Sequence, residues 1–167
     1  IPSLLPWVNW ISDYASAGVG RVAPSTPEDL VEVVRQAVAD GRRIRVTGAG
    51  HSTTSVARPD DVWVTLDQMQ AVLPLEHVKS SRRDELDDYV RIDAGTRLKT
   101  ANRVLLGDRA VFNMGSFDWQ SLIGAACTGT HGSGIELGPI ADSIVSIDMV
   151  TVRKVDGEPD VRMRWIE

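Results

Sequence analysis

Between residues 25 and 43 apolar side chains recur at helical spacing, with Leu30, Val33, Val34, Ala37 and Val38 falling on one face. Ser25 or Thr26 can cap this helix, Pro27 suits its first position, and Glu28 and Asp29 complement the N-terminal dipole. Gly41 supplies the stop, and the apolar face is expected to pack against a sheet. The β-branched stretch "RVAP" at 21–24 precedes the helix and "RIRV" at 43–46 follows it. The whole reads as a β-α-β unit whose second strand runs directly into the glycine turn of "RVTGAGHSTT". Ligands favour such strand ends.

After a polar loop through Pro59 and Asp60 the pattern shortens to strand lengths. "VWVTL" at 62–66 reads as a strand, and "AVLPLEHV" at 71–78 as another that Pro74 interrupts or places at an edge. "SSRRDELDD" at 80–88 is a charged turn, and "YVRIDAG" at 89–95 alternates as a half-buried strand does. This order predicts an antiparallel meander. "TRLKTANRVLLGDRA" predicts a helix capped by Thr96 and ended by Gly107, and "SIVSIDMVTVRKV" at 143–155 predicts a long strand. No internal repeat or low-complexity tract is present.

Composition narrows the function classes. A chain of 167 residues with 43% hydrophobic and 25% charged residues has the make-up of one globular domain. Its net charge of -5 leaves no electrostatic footprint for nucleic acid, and the basic clusters "GRRIR" and "KSSRR" read as solvated surface or strand edge. No apolar run approaches the about 18 residues of a membrane span. The opening "IPSLLPWVNWI" has no basic n-region of a signal peptide. The chain starts at Ile1, so residues upstream are expected to have been removed or left out; the working expectation for location is the cytoplasm. Cys127 is the sole cysteine, which excludes an intrachain disulfide and a cysteine-based zinc site. Cys127 and His131 stand four apart without further ligands, so no metal is expected.

Two glycine clusters carry the candidate chemistry. Gly18, Gly20 and Ala23 satisfy G-x-G-x-x-A, but "ISDYASA" is a poor strand and Pro24 blocks the helix that a dinucleotide fingerprint requires next. Walker A, G-x-S-x-G and H-E-x-x-H motifs are absent. What stands out is "GAGHS" at 48–52 and, about eighty residues later, "TGTHGSG" at 128–134 within "NMGSFDWQSLIGAACTGTHGSG". Glycines at such turns let backbone N–H groups approach a flat or phosphorylated ligand, with hydroxyls as further donors. Taken singly, each cluster reads first as a tight turn whose glycines serve only backbone conformation.

The pairing of "GAGHS" with "TGTHGSG", with "VRIDAGTRL" between them, resembles the vanillyl-alcohol-oxidase superfamily of flavoproteins, and within it the aldonolactone oxidase and alditol oxidase group. "NW" at 9–10, "PSTPEDLVEVV", "GRRIRVTGAGHS" and "IADSIVSIDMVT" fall in the family's order. The resemblance implies an α+β, PCMH-type FAD-binding domain over 1–167: a small parallel β-α-β subdomain packed against a larger mainly antiparallel sheet with helices, with FAD between them. It implies that Thr47, Gly48, Ala49, Gly50, His51 and Ser52 hold the FAD pyrophosphate, and that His51 bonds covalently to the 8α carbon of the isoalloxazine. A second flavin-contacting segment would comprise Gly115, Ser116, Gly124, Ala125, Thr128, Gly129, Thr130, His131 and Gly132, with Ile144 and Val145 near the adenine. "FDWQS" at 117–121 departs from the family's commoner wording, so Asp118 and Gln120 receive no role; nor does His77.

The implied reaction is oxidation of a carbinol C–H in a sugar lactone or polyol, with hydride passing to flavin N5 and the electrons then going to dioxygen or another acceptor. Family enzymes are longer, so this chain is expected to be the N-terminal part of an oxidoreductase, inactive alone, with no catalytic residue assigned to it. The alternative is a cofactor-binding module with no activity of its own.

Overall fold

The computed structural model describes residues 6–73, 81, 89–105 and 109–167. These fall into two compact units, one formed by residues 1–68 with 148–166 and the other by 69–147 with Glu167.

The first unit is built on a three-stranded parallel sheet of β3 (Gly20–Val22), β4 (Ile44–Thr47) and β5 (Val62–Thr65), in the order β3-β5-β4. The expected β-α-β unit is present, with α1 (Pro27–Ala39) joining β3 to β4. The expected start of a meander at 62–66 is corrected: β5 runs parallel to both neighbours, with Val62 opposite Gly20 and Ile44. All four β5 residues are buried, as befits a central strand covered on both faces. Residues 48–61 give the connection length that a parallel crossover needs. Antiparallel pairing in this unit is confined to two ribbons among the described residues. One joins β1 (Trp7–Val8) to β2 (Ala15–Ser16). The other joins β8 (Ile147–Val155), whose first residue belongs to the second unit, to β9 (Glu158–Ile166).

The turn between β8 and β9 is Asp156–Gly157, both at positive φ, the conformation that makes Asp-Gly a favoured two-residue hairpin loop. Helix α1 lies against β9. Trp7, Val19 and Trp63 form the buried cluster of this unit, with Tyr14 and Ala57 packed on it.

In the second unit β6 (Val72–Leu73) pairs antiparallel with β7 (Arg91–Ile92). Residues 74–80 and 82–88, with the expected Pro74 interruption, most of the charged turn and His77, lie outside the described residues, as does Gly107. Helix α2 spans Leu98–Leu105 and α3 spans Leu122–Cys127. Thr96 does not cap α2: it is fully buried, and its hydroxyl donates to Ala71 O at 3.4 Å. The helix starts two residues later, where Leu98 turns into a core shared with Ala125, Ala126 and Ile140. The long strand expected from 143 begins at 147, because residues 140–143 close into a 3-10 turn with Ile140 buried.

Capping of α1 is reciprocal: Asp29 N–H donates to Thr26 Oγ1 at 3.0 Å and Thr26 N–H donates to Asp29 Oδ2 at 3.1 Å. The Ser25 hydroxyl at 2.8 Å, then the Ser25 and Thr26 groups, hold the Asp29 carboxyl below its ordinary value of 3.8. Thr26→Ala should cost about 1 kcal/mol, read from urea unfolding at neutral pH. Since the folded state depresses the Asp29 pKa, its contribution is complete above the ordinary value of 3.8 and is lost below it, as pH falls through the lower folded-state pKa. Asp29→Asn should therefore flatten the decline in stability on acidification below 3.8, a difference measurable by denaturant titrations across that range.

Candidate cofactor site

Strand β4 delivers Thr47 at its C-terminal end with the side chain turned inward, where its Oγ1 accepts from the buried Trp63 Nε1 at 2.7 Å. The chain then leaves the sheet as the loop Gly48–Ser52. Gly50 has φ +71, and a Cβ there would meet Asn9 Cα at 3.7 Å and Trp7 Cζ2 at 3.8 Å. Space is therefore ordinary at Gly50, and its backbone angle is what asks for glycine.

This loop is fastened through its carbonyls. Gly50 O accepts from Trp10 N–H at 3.0 Å, and Ser52 O accepts from Asn9 Nδ2 at 3.1 Å. Asn9 is 3% exposed and uses every polar group it has. Its N–H donates to Tyr14 O, its carbonyl accepts from Ser12 N–H, and its Oδ1 accepts from Tyr14 N–H, each at 3.0 Å. Among the described residues the amides of Gly48, Ala49, Gly50 and Ser52 donate to no protein acceptor. With the Gly50 and Ser52 carbonyls bonded to the Asn9–Trp10 turn and these four amides left over, the loop presents the donor set that a diphosphate accepts. The residues present thus fit the pyrophosphate of a dinucleotide.

His51 stands in this loop half-buried, its Nδ1 without accessible surface. The Trp10 indole lies against it, centroids 5.6 Å apart and planes tilted by 38°. From the middle of β3, the Arg21 guanidinium stands 5.5 Å from the Trp63 ring of β5, contacts Thr65 Oγ1 at 3.3 Å and pairs with Asp67 at 3.3 Å.

The remaining candidate residues belong to the second unit. Several of their glycines have a packing reason. A Cβ on Gly124 would fall 2.6 Å from Ser121 Oγ, and one on Gly132 would fall 2.6 Å from both Asn113 Oδ1 and Met114 O. On Gly115 it would meet His131 O at 3.4 Å, which brings Gly115 and His131 together. Thr128 Oγ1 donates to Gly124 O at 2.9 Å, and Thr130 receives Ile140 N–H on its carbonyl while donating to Ala125 O. Gly129 takes φ +68 after α3, and its N–H donates to Ala126 O. His131 is exposed, with Nδ1 2.8 Å from Gly132 O, a contact in which the ring nitrogen donates. Ser116 is exposed, Ala125 buried, and Ile144 packs on the Leu98 cluster beside the half-buried Val145.

Sequence reasoning missed Asn113. At φ 39 it donates through Nδ2 to Leu137 O and Gly138 O, both at 3.0 Å, and accepts Gly134 N–H on Oδ1. An asparagine ahead of "MGS" is a residue that tolerates the left-handed region, the one local signal available.

The sequence model of a family described as "FAD binding domain" matches residues 20–155. The chain belongs to this family. L-gulono-1,4-lactone dehydrogenase of Mycobacterium tuberculosis is similar at 32% identity over 146 residues, covering 87% of this chain and 32% of that protein. D-arabinono-1,4-lactone oxidase of Eremothecium gossypii is also 32% identical over 146 residues, covering 87% of this chain and 27% of that one. The chain therefore spans about a third of these curated relatives. Cholesterol oxidase from B. sterolicum superposes with a TM-score of 0.77 at 16% identity, covering 97% of this chain and 32% of that structure, a likeness in fold. The fold is the PCMH-type FAD-binding fold that the family resemblance implies. Among the described residues no helix is long and apolar enough to cross a membrane.

Two substitutions separate the roles assigned here. Thr47→Val deprives the buried Trp63 Nε1 of its acceptor and should destabilise the fold by about 1–3 kcal/mol, with Thr47→Ser restoring most of the loss in the same chemical denaturation series. Gly132→Ala forces Asn113 or the Met114 carbonyl to move and should cost about 1–3 kcal/mol, seen as a lowered thermal midpoint.

Proposed function

We propose that this chain is the FAD-holding portion of an oxidoreductase acting on a sugar lactone or polyol. The observation that carries the cofactor assignment is the loop of Gly48–Ser52, fastened by its carbonyls with four amides undonated within the protein. Those amides would receive the pyrophosphate, together with Thr47 and His51 main chain. Gly115, Ser116, Gly124, Ala125, Thr128–Gly132, Ile144 and Val145 are proposed as the second FAD-contacting set. The similarity to lactone dehydrogenases and oxidases supports the substrate class.

FAD, when bound, supplies a hydride acceptor at flavin N5 and an electrophilic 8-methyl carbon. His51 is proposed to attach to that carbon through a ring nitrogen. Such attachment would release one proton from the imidazole and one from the methyl group, with dioxygen as the two-electron oxidant and hydrogen peroxide its product. Thr47 and Gly50 fix the main chain on which His51 stands; Trp10 flanks its ring. Bound FAD would supply the hydride acceptor for oxidation of a sugar carbinol, with dioxygen or another acceptor taking up the electrons. The groups that grip the sugar are assigned to the remainder of the parent chain. A second reading, a cofactor-binding module inactive by itself, is favoured by the fraction of its relatives that this chain spans.

The experiment is an absorbance spectrum before and after acid precipitation, on the wild type and on His51→Ala. Flavin colour should stay with the precipitated wild type and pass into the supernatant for the variant. Flavin released from both would refute covalent attachment; a colourless protein that takes up no added FAD would refute the cofactor assignment. Oxidation of a sugar lactone by these 167 residues alone would dispose of the inactive-module reading.

A further inference from the structure

His51 has its main chain fixed on both sides, through Gly50 O and Ser52 O, yet its ring orientation depends on what touches the imidazole. Trp10 is one such contact. It is 56% exposed and lies outside the buried cluster of Trp7, Val19 and Trp63, so a large aromatic stands at the surface with little of its area in the core. Its amide is bonded to Gly50 O and its neighbour Asn9 is bonded to Ser52 O, which makes the Asn9–Trp10 turn and the His51 loop one mechanical piece. The indole stacks, tilted, at 5.6 Å from the imidazole.

We propose that Trp10 is a positioning residue for flavin attachment: its indole backs the His51 ring and holds it in the orientation from which the ring nitrogen reaches the 8-methyl carbon. The inference rests on the reading of His51 given above. A ring that must be aligned with a carbon held by other residues gains rate from being pre-set, and the gain falls on the bond-forming step. FAD affinity, set by the loop amides, stays outside it.

The test follows acid-stable flavin over time after adding FAD to the apo form of the complete gene product, at several FAD concentrations, for wild type, Trp10→Ala, Trp10→Phe and His51→Ala. In Trp10→Ala the limiting rate of attachment should fall about tenfold or more while the FAD concentration for half-maximal rate shifts less than about threefold. Trp10→Phe, which keeps an aromatic face, should recover most of the rate. A merely structural role for Trp10 would move affinity and thermal midpoint together with the rate and would overturn the proposal. So would wild-type attachment rates in Trp10→Ala. If Trp10→Ala does not fold, Trp10→Leu replaces it, with the same slowed rate expected and an unchanged rate overturning the proposal. A wild type that binds FAD yet never forms acid-stable flavin overturns the reading of His51 itself and this role with it. That outcome differs from the failure of Trp10 alone, in which the wild type attaches flavin and the variant matches it.

Discussion

The candidate site depends on how one buried asparagine is satisfied. Asn9 sits at 3% exposure with its amide, carbonyl, Oδ1 and Nδ2 all bonded, three to its own turn and the fourth to Ser52 O. Burying four such groups is tolerable only because each finds a partner. A carboxylate in its place would set an acceptor against the Ser52 carbonyl. Because Asn9 and Trp10 take up the carbonyls of Ser52 and Gly50, the amides of Gly48, Ala49, Gly50 and Ser52 are left to be offered to a ligand. The parallel sheet provides the anchor on the other side: Thr47 is pinned by Trp63, and the loop starts at the next residue.

Much of this was legible along the chain and some was not. Helix α1 was readable because cap, proline, acidic first turn and terminal glycine all lie within a few positions of one another, and the structure uses each of them. The strand into glycine at 44–48 was readable for the same reason. The partnership of β5 was not, since a run such as "VWVT" states burial on both faces but not which strands lie beside it; the unalternating pattern and the long connection were the usable hints. The hairpin at Asp156–Gly157 carried a signal that reading 143–155 as an isolated strand passed over. Thr96 looked like a cap and became a core hydroxyl, because tertiary burial outweighs a local capping preference. The brace from residues 9–10 to 50–52 is a contact across some forty positions, for which a single sequence holds no local mark.

The two glycine clusters, alike in sequence, differ in what their glycines are for. At Gly50 the requirement is conformational: φ is +71 and a side chain would find ordinary room. At Gly132 and Gly124 it is steric, with Asn113, Met114 and Ser121 atoms already occupying the place of a Cβ. Their surroundings differ in the same sense. In "TGTHGSG" the amides of Thr128, Gly129, Thr130 and Gly134 are spent within the protein, and the Thr128 hydroxyl with them. In "GAGHS" the amides of Gly48, Ala49, Gly50 and Ser52 are spared, while the carbonyls of Gly50 and Ser52 are spent. Glycine content alone cannot make that distinction, since a turn that packs on itself and a turn that cradles a ligand draw on the same residue types. The direction of the hydrogen bonds can. On that ground the proposed diphosphate contact rests mainly on the first cluster, while the second is a folded support with His131 exposed on it.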